Sequence, residues 1–213
     1  MTHPYWPLFD LRLSTLDLEL RPMTEADQIA VSDLLPDDVE LDPAAATYPV
    51  DDRLGRRIVV HQTYWRAYGT WRPESWRLNF AVLAGGELIG AQELEGNDFL
   101  ALCTVETSSF LVTRARGRGF GKQMRRAVLA LAFGPLQAQA AITEAWHDNH
   151  ASLGVSRALG YRPNGESLHR RGNGVDTMMH MRLRRADWFA AGFPQVSIDG
   201  FDACRPLFGL DSR

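Results

Sequence analysis

The segment from Arg114 to Arg126 combines basic side chains with closely spaced glycines. Its sequence, RARGRGFGKQMRR, contains six basic residues, no acidic residue, and glycines at the alternate positions 117, 119 and 121. Glycine lets the backbone approach an anion closely, and the unpaired N–H groups and dipole at the start of a helix favour negative charge. These residue types at this spacing predict a turn that binds phosphate.

Three other nucleotide-binding patterns fail at particular positions of this turn. A Walker loop requires glycine at the position of Arg116 and serine or threonine at that of Gln123. A dinucleotide-binding fingerprint requires its third glycine where Lys122 stands. An RNA-recognition strand motif continues with aromatic residues after Gly121, where this sequence reads KQMR. None of the three patterns identifies the phosphate compound that the turn binds.

Apolar periodicity predicts the elements that hold the turn in place. The run 102–112 reads as a strand that ends just before the turn, and apolar residues then recur at helical spacing from Phe120 to Leu131. The other predicted elements are a first strand with Leu16, Leu18 and Leu20 on its buried face, a helix from Thr24 towards Leu35, a helix around 56–68, a hairpin of 78–83 and 87–94 around Gly85 and Gly86, a strand over 141–146, a helix over 149–159 and a strand over 176–184. This order predicts a mixed α/β sheet flanked by helices.

Length and composition favour one domain with a local anion site. The 213 residues, 45% of them hydrophobic, are enough for a single domain over 1–213 with its core at about 12–190 and the terminal segments packed on it. Outside the turn, 17 basic residues face 26 acidic ones. A basic spot on an acidic body favours a local anionic ligand, so nucleic acid is not the expected partner.

Several other classes of protein are not expected. Cys103 and Cys204 lie 101 positions apart, which predicts neither a disulfide framework nor a cysteine zinc site. His147 and His150 lack further residues at ligand spacing, so no metal is expected. The first residues have no basic region followed by an apolar stretch, and no apolar run is long enough to span a membrane. We therefore expect a cytoplasmic protein without a membrane partner.

Two motifs resemble those of the GNAT superfamily of N-acyltransferases. Arg116, Gly119 and Gly121 match the superfamily's acyl-CoA pyrophosphate loop, Arg or Gln, two residues, Gly, one residue, Gly or Ala. Downstream, DNHAS at 148–152 followed by ALGY at 158–161 resembles the second motif, in which an asparagine opens a helix that ends in glycine and an aromatic residue. The resemblance implies a mostly antiparallel central sheet with splayed strands flanked by helices.

Further segments narrow the resemblance. ETSSFL at 106–111 is similar to the branch of the ribosomal-protein alanine acetyltransferases. WPLFDLR at 6–12 and GFDACRPLFG at 200–209 resemble a mycobacterial GNAT succinyltransferase. The resemblance implies acetyl-CoA as the default acyl donor and succinyl-CoA as the favoured variant. A succinyl donor requires a cation near its carboxylate, and the candidates are Arg72, Arg77, Arg170 and Arg171.

The resemblance also implies where the donor binds. The backbone of 110–112 would pair with the pantetheine amides, and the amides of 117–122 would hold the pyrophosphate with help from the side chains of Arg116 and Lys122. Asn149 is predicted either to bind pantetheine or to cap its helix. The expected cosubstrate-binding residues are Phe110, Leu111, Val112, Arg116, Gly117, Arg118, Gly119, Phe120, Gly121, Lys122, Asn149 and Ser152.

Transfer of an acyl group to an amine requires that a proton be removed. A primary amine of pKa about 10 is roughly 0.1% neutral at pH 7, an apparent penalty of ~4 kcal/mol. Glu106 is the predicted base or water-orienting residue, with Ser109 as its polar neighbour. Many GNAT enzymes protonate the leaving thiolate with a tyrosine seven residues after the asparagine; here that position is Ser156. Ser156 is therefore the predicted proton donor, directly or through water.

The acceptor and two other functions stay open. A protein N-terminus or lysine, a polyamine or an amino-group antibiotic fits the chemistry, and a homo-oligomer is compatible with the sequence. An acidic segment is expected either to be a solvated loop or to attract a cationic amine; its acids are Asp37, Asp38, Glu40, Asp42, Asp51 and Asp52. The alternative functions are a catalytically silent acyl-CoA-binding module and an RNA-binding protein that uses the basic turn.

Overall fold

A nine-stranded sheet with helices on both faces forms the body of the protein. The computed structural model describes residues 3–41 and 45–210. The strands are β1 (Arg12–Ser14), β2 (Leu18–Pro22), β3 (Trp76–Ala84), β4 (Glu87–Gly96), β5 (Thr104–Leu111), β6 (Ala140–Trp146), β7 (Arg162–Arg171), β8 (Gly174–Arg184) and β9 (Ser197–Asp199). The helices are α1 (Glu25–Leu34), α2 (Asp52–Gly69), α3 (Phe99–Leu102), α4 (Phe120–Phe133), α5 (His150–Ala158) and α6 (Arg185–Ala190).

The strand order is β7-β8-β6-β5-β4-β3-β2-β1-β9, and the described neighbours pair antiparallel except β5 with β6. A parallel pair cannot be joined by a tight hairpin, and here α4 forms the crossover. The prediction of a mixed, mostly antiparallel sheet flanked by helices is confirmed.

The two faces of the sheet carry different helices. Phe80 and Val82 of β3 belong to the main hydrophobic cluster, to which α4 contributes its buried stripe. Ala81, between them, packs instead with Val31 of α1 and Tyr64 of α2. Successive residues of a strand point to opposite faces, so α4 covers one face, and α1 and α2 cover the other.

Local sequence signals placed several elements correctly. Thr24 and Asp27 form the predicted capping box at the start of α1, each side chain accepting a backbone N–H of the other residue. Gly85 and Gly86 take positive φ values of 57° and 82° in the β3–β4 turn, which is the backbone that glycine tolerates best. The hairpin prediction is confirmed.

Other predictions need correction. Leu16 does not lie in a strand: it is 89% exposed in the turn between β1 and β2, so only Leu18 and Leu20 are buried. The second helix begins at Asp52 because the side chain of Asp51 accepts the N–H of Leu54, a cap upstream of the predicted start. The whole of β7 had no predicted counterpart, since most of its residues are exposed and polar.

The terminal segments pack on the main cluster. Leu8 and Leu11 near the start share it with Phe208, which lies on a 3-10 helix over Asp202–Phe208. Trp71 donates its indole N–H to the carbonyl of Leu207 at 2.9 Å. None of the helices in the described parts of the chain is long and apolar enough to cross a membrane.

Candidate active site

A gap opens between β5 and β6 near the middle of the sheet. The two strands pair only at Thr104 with Ala140, Val105 with Ala141 and Glu106 with Ile142. Beyond that point β5 continues along β4 and β6 along β8. The Thr143 hydroxyl donates to the Thr107 carbonyl at 2.8 Å, just past the last strand pair. The remainder of β5 therefore presents one backbone edge to an opening, which suits an extended ligand.

The glycine turn lies at the open end of β5. A short 3-10 helix over Thr113–Ala115 leads into it, and Gly117 and Gly119 take φ values of +73° and +81°. Gly119 is the N-cap of α4, and among the described residues no side chain accepts a hydrogen bond from the first N–H groups of this helix. A Cβ atom on either glycine would meet open space, and both residues are exposed. The turn thus retains the features of an anion site at a helix N-terminus.

The neighbouring residues of the turn have distinct surroundings. The Arg118 guanidinium lies 4.7 Å from the centre of the Phe120 ring. Gly121 faces α5, where an added Cβ would lie 3.3 Å from Val155 Cγ2. Lys122 is exposed. Gly121 therefore brings α4 close to α5, whereas Arg118 and Lys122 remain near solvent.

Arg116 connects the turn to the loop that follows α1. Its guanidinium forms a bidentate ion pair with Asp38, at 2.5 and 2.8 Å, and its Nε donates to the Leu111 carbonyl. This pairing lowers the pKa of the Asp38 carboxyl. Arg116 thus connects the end of β5 to the loop after α1, and the contact of its side chain with pyrophosphate stays a prediction.

The second predicted motif forms the start and buried face of α5. Asn149 is the N-cap, and its Oδ1 accepts the Ser152 N–H at 3.0 Å. Ser156 is 1% exposed, donates its hydroxyl proton to the Ser152 carbonyl, and accepts a bond from Arg125 at 3.3 Å. The cap interpretation of Asn149 is therefore realised, and its pantetheine contact stays a prediction.

Arg125 of α4 bridges the diverging strands β5 and β6 from one face of the sheet. It is 3% exposed, and its guanidinium donates to the hydroxyls of Ser109 on β5, Thr143 on β6 and Ser156 on α5, each at 3.3 Å. The hydroxyl of Tyr161 is a further neighbour. Burial lowers the pKa of Arg125, because desolvation disfavours the charged form.

A group of charged residues lies on the opposite face of β5. Arg77 of β3 is 3.3 Å from Glu93 and 2.5 Å from Glu95, both on β4, and Glu95 pairs across the sheet with Glu106. The Glu93 side chain is 21% exposed. Burial raises its pKa to about 7, the nearby Arg77 opposes this shift, and the like charges of Glu95 and Glu106 add to it. A carboxylate with such a pKa exchanges protons at neutral pH.

Two openings adjoin these groups. A pocket of about 240 Å³ lies between α2 and the ends of β3 and β4, with Arg77 and Glu95 in its wall. A wider cleft of about 490 Å³ lies between the loop after α1, the start of α2 and the short 3-10 helix that precedes the glycine turn, and is lined by Asp37, Asp38 and Thr113. Both lie on the side of the sheet that α1 and α2 cover.

The acidic segment that was expected either to be solvated or to attract a cationic amine has structural partners for three of its five described acids. Asp38 pairs with Arg116, Glu40 pairs with Arg171 at 2.5 Å, and Asp51 caps α2. Asp37 lines the wider cleft, and Asp52 is the first residue of α2. Asp42 lies outside the described residues. Three of the five acids that the structure describes thus anchor this loop to other segments.

Arg171 is surrounded by carboxylates from three segments. It contacts Glu40, Asp148 at 2.9 Å and Asp176 at 2.8 Å, and lies 4.8 Å from the centre of the Trp146 ring. Four arginines were predicted as candidates to bind the carboxylate of a succinyl group. Two of them, Arg77 and Arg171, are already paired with acidic side chains. No group of three or more potential metal ligands occurs in the described residues.

Two residues of the site were missed by sequence reasoning. Arg125 was counted as one of six cations of the turn, yet it follows Gly121 by four positions and precedes Val128 by three, which places it on the buried face of α4. Glu93 carried no signal of its own, since its pKa depends first on burial in the folded protein and then on charged neighbours from two other strands. Helical spacing could have identified the first residue but not the second.

Comparison with known proteins identifies the family. The sequence model of the acetyltransferase (GNAT) domain matches residues 17–162, more than half of the chain, and the chain therefore belongs to this family.

Solved structures share the fold at low sequence identity. RimJ of Mycobacterium smegmatis, in complex with CoA-disulfide, superposes with a TM-score of 0.67 at 18% identity over 85% of this chain and 92% of its own. Mutant forms of the spermidine/spermine N-acetyltransferase SpeG from Vibrio cholerae give 0.64 at 13% identity, over 84% and 100%. The ribosomal-protein acetyltransferase RimL gives 0.63 at 14% identity, over 80% and 91%.

Proposed function

We propose that the protein transfers an acyl group from acyl-CoA to a primary amine by direct attack of the amine on the thioester. The observation that carries this proposal is the position of the uncapped glycine turn at the end of β5, where that strand parts from β6. An anion site and an unpaired strand edge then follow one another along the chain, as a ligand with a diphosphate and an amide-containing arm requires. The CoA-disulfide complex of RimJ supports the assignment.

This geometry supports a particular set of residues as those that hold the donor. The backbone edge of 110–112 would pair with the pantetheine amides, and the amides of 117–122 would contact the diphosphate. Lys122 and Arg118 are exposed beside the turn and would add charge. Asn149 would contribute its amide nitrogen while its oxygen continues to cap α5.

The proposed reaction is a single displacement. The amine nitrogen attacks the thioester carbonyl carbon, the C–N bond forms, the C–S bond breaks, and the CoA thiolate leaves and is protonated. Glu93, with a pKa near 7, takes a proton from the amine directly or through water, and Glu106 orients that water from the neighbouring strand. A carboxylate of ordinary pKa would be a poorer acceptor at neutral pH.

Ser156 is the proposed proton donor to the thiolate. In the structure the Ser156 hydroxyl donates its hydrogen bond to the Ser152 carbonyl. Donation to the thiolate therefore requires the hydroxyl group to rotate. If Ser156→Ala leaves CoA affinity and turnover intact, Ser156 takes no part in the reaction.

Acetyl-CoA is the default donor, and succinyl-CoA is the favoured variant because of the resemblance at the two ends of the chain. We also propose that the chain belongs to the branch of the ribosomal-protein alanine acetyltransferases. The wider cleft beside the turn is the proposed entrance for the amine. We also propose that residues 1–213 form one domain, since a single cluster contains side chains from Leu8 to Leu210.

Two measurements test the function. Free CoA should raise the melting temperature of the purified protein, because a ligand that binds only the folded state stabilises it. Release of CoA thiol from acetyl- or succinyl-CoA should depend on an added amine, tested with spermidine, an alanine-terminated peptide and a lysine peptide. Absence of any shift with CoA contradicts the donor site, whereas a shift without turnover supports a silent binding module. RNA binding that is unaffected by CoA would instead support the RNA-binding alternative.

A further inference from the structure

Arg125 is a buried cation whose contacts are all uncharged. Its guanidinium donates to the hydroxyls of Ser109, Thr143 and Ser156, each at 3.3 Å, and its Nε has no acceptor among the described residues. Burial raises the pKa of the neighbouring Tyr161 hydroxyl, which therefore stays neutral and is not a counter-ion. None of the ion pairs in the described parts of the chain includes Arg125.

Such an arrangement is costly for the folded protein. Removing an ion from water is unfavourable, and only an opposite charge or strong hydrogen bonds compensate for it. Three bonds of 3.3 Å to neutral hydroxyls compensate little, since bonds to ionised acceptors are shorter and about twice as strong. An apolar side chain of similar size would avoid this cost. Packing alone therefore does not explain the charge, whereas an anion that reaches the site does.

The position of the guanidinium limits which anion can reach it. Its hydroxyl partners lie on β5, β6 and α5, beyond the last β5–β6 pair at Glu106 and Ile142. Ser109 is exposed, so the charge of Arg125 is one polarised hydroxyl away from the opening. Gly119 precedes Arg125 by six positions, roughly two turns of α4. The proposed diphosphate site is therefore separate, and the anion in question belongs to the other end of the donor.

The reacting sulfur of the donor enters this opening under the function proposed above, on which this inference rests. After the amine nitrogen has attacked, the carbonyl re-forms, the C–S bond breaks, and its electron pair stays on the sulfur. Ser156 can pass a proton to that sulfur only after it takes one from elsewhere, because an aliphatic hydroxyl is a far weaker acid than a thiol. The sulfur therefore carries a full negative charge until a proton arrives from water.

We propose that Arg125 stabilises the leaving thiolate of CoA by its charge, acting through the hydroxyl of Ser109 and, once it has rotated, that of Ser156. Arg125 is then a positioning residue: it holds the two hydroxyls by their oxygens and polarises their O–H bonds, without touching the donor. The thioester sulfur is neutral, so this charge is balanced only as the C–S bond breaks. An interaction that strengthens in the transition state accelerates the reaction.

The effect on the sulfur can be measured without turnover. The probe is CoA itself, titrated with base in complex with the protein while the ultraviolet absorbance of its thiolate is followed. An opposite charge within about 4–6 Å lowers the pKa of an acid by about one to three units. We therefore expect the CoA thiol to titrate about one to two units lower in the complex than in free solution. The complex with desulfo-CoA, which lacks the sulfur, supplies the background from the protein's own tyrosines and cysteines.

Arg125→Met removes the charge and keeps an unbranched side chain. The pKa of the bound CoA thiol should return to its value in free solution. The kcat with acetyl-CoA should fall ~10- to 100-fold, as one to two pKa units imply, while the Kd for acetyl-CoA stays the same because its sulfur is neutral. Arg125→Lys should retain part of both effects. Arg114→Met, the same change at an exposed arginine of the segment, is the matched control and should alter neither.

The wild-type titration decides even if Arg125→Met does not fold. A CoA thiol that titrates in the complex as it does in free solution would overturn the inference. So would an equal lowering in wild type and Arg125→Met, because another positive charge, such as that of Lys122, would then be the cause. If Arg125→Met weakened the binding of CoA, desulfo-CoA and acetyl-CoA alike, Arg125 would be a structural link and the inference would be wrong. Failure of CoA to bind at all refutes the proposed function itself, and this inference with it.

Discussion

Replacing Glu93 by glutamine should make the protein more stable and less active at the same time. Glutamine imitates the protonated acid in shape and polarity, so it removes the charge without emptying the site. In the wild-type protein the pKa of Glu93 is raised from 4.5 to about 7, with burial as the largest cause. The charged form is therefore disfavoured in the folded state relative to the unfolded chain.

The size and sign of the effect follow from linkage. Between pH 4.5 and pH 7 the folded protein holds a proton that the unfolded chain has lost, so the free energy of unfolding decreases as the pH rises through this window. The shift corresponds to about 3 kcal/mol above pH 7, at 1.36 kcal/mol for each pKa unit. Glu93→Gln should remove this penalty, which makes the variant up to about 3 kcal/mol more stable at pH 8 and similar to wild type at pH 4.

The assay is denaturant unfolding of both proteins at pH 4, 6 and 8, combined with a pH profile of turnover. The wild-type kcat/KM should rise with pH to a plateau above about pH 7, and the variant should lose this inflection together with ~100-fold or more of the rate. Glu87→Gln, an exposed acid on the same strand, is the control and should alter neither curve. A stability difference that does not change with pH would refute the reasoning on Glu93.

Three further predictions concern the turn, the second motif and the anchored loop. Gly119→Ala should cost about 1 kcal/mol of stability at φ +81° and reduce the melting shift caused by CoA, whereas Gly192→Ala, at φ +62° far along the chain, should reduce stability alone. Asn149→Ala should lower the free energy of unfolding by about 1 kcal/mol through loss of the cap; Asn149→Asp retains the cap, so weaker CoA binding by that variant, measured by calorimetry, identifies a contact of the amide nitrogen. Arg171→Met should lower the melting temperature more at low salt than at high salt, and a loss that is independent of salt would contradict the ionic interpretation.

Elements governed by local chemistry could be predicted from the sequence. Two examples are the capping pair of Thr24 and Asp27 and the two glycines of the β3–β4 turn. The interactions involved join residues only a few positions apart, so the local sequence is sufficient to predict them. The prediction that Leu16 is buried in a strand was wrong. Leu16 alternates with Leu18 and Leu20 in the sequence, but it lies in the turn before β2, where the backbone is not part of the sheet. The strand β7 gave no apolar alternation because neither of its faces is well buried.

The chemistry of the site depends on contacts between distant segments. The partners of Arg125 at Ser109, Thr143 and Ser156 come together only when the register of β5 and β6 and the packing of α5 are known. The pKa of Glu93 likewise depends on Arg77 across one strand pair and Glu106 across another. The sequence therefore indicates a turn suited to phosphate, but not the burial and the partners of Arg125 and Glu93.

The crossover between β5 and β6 also sets where the chain tolerates changes in length. One continuous stretch of chain connects the gap to the glycine turn. It runs from Glu106, at the last β5–β6 pair, to Gly119 at the start of α4. An insertion there would change the distance between the strand edge proposed to bind pantetheine and the turn proposed to bind the diphosphate, even if the sheet still formed. The exposed turn between β7 and β8 joins strands outside the gap and carries no such constraint. Natural variation in length should therefore accumulate in that hairpin, while the stretch from β5 to α4 keeps its residue count.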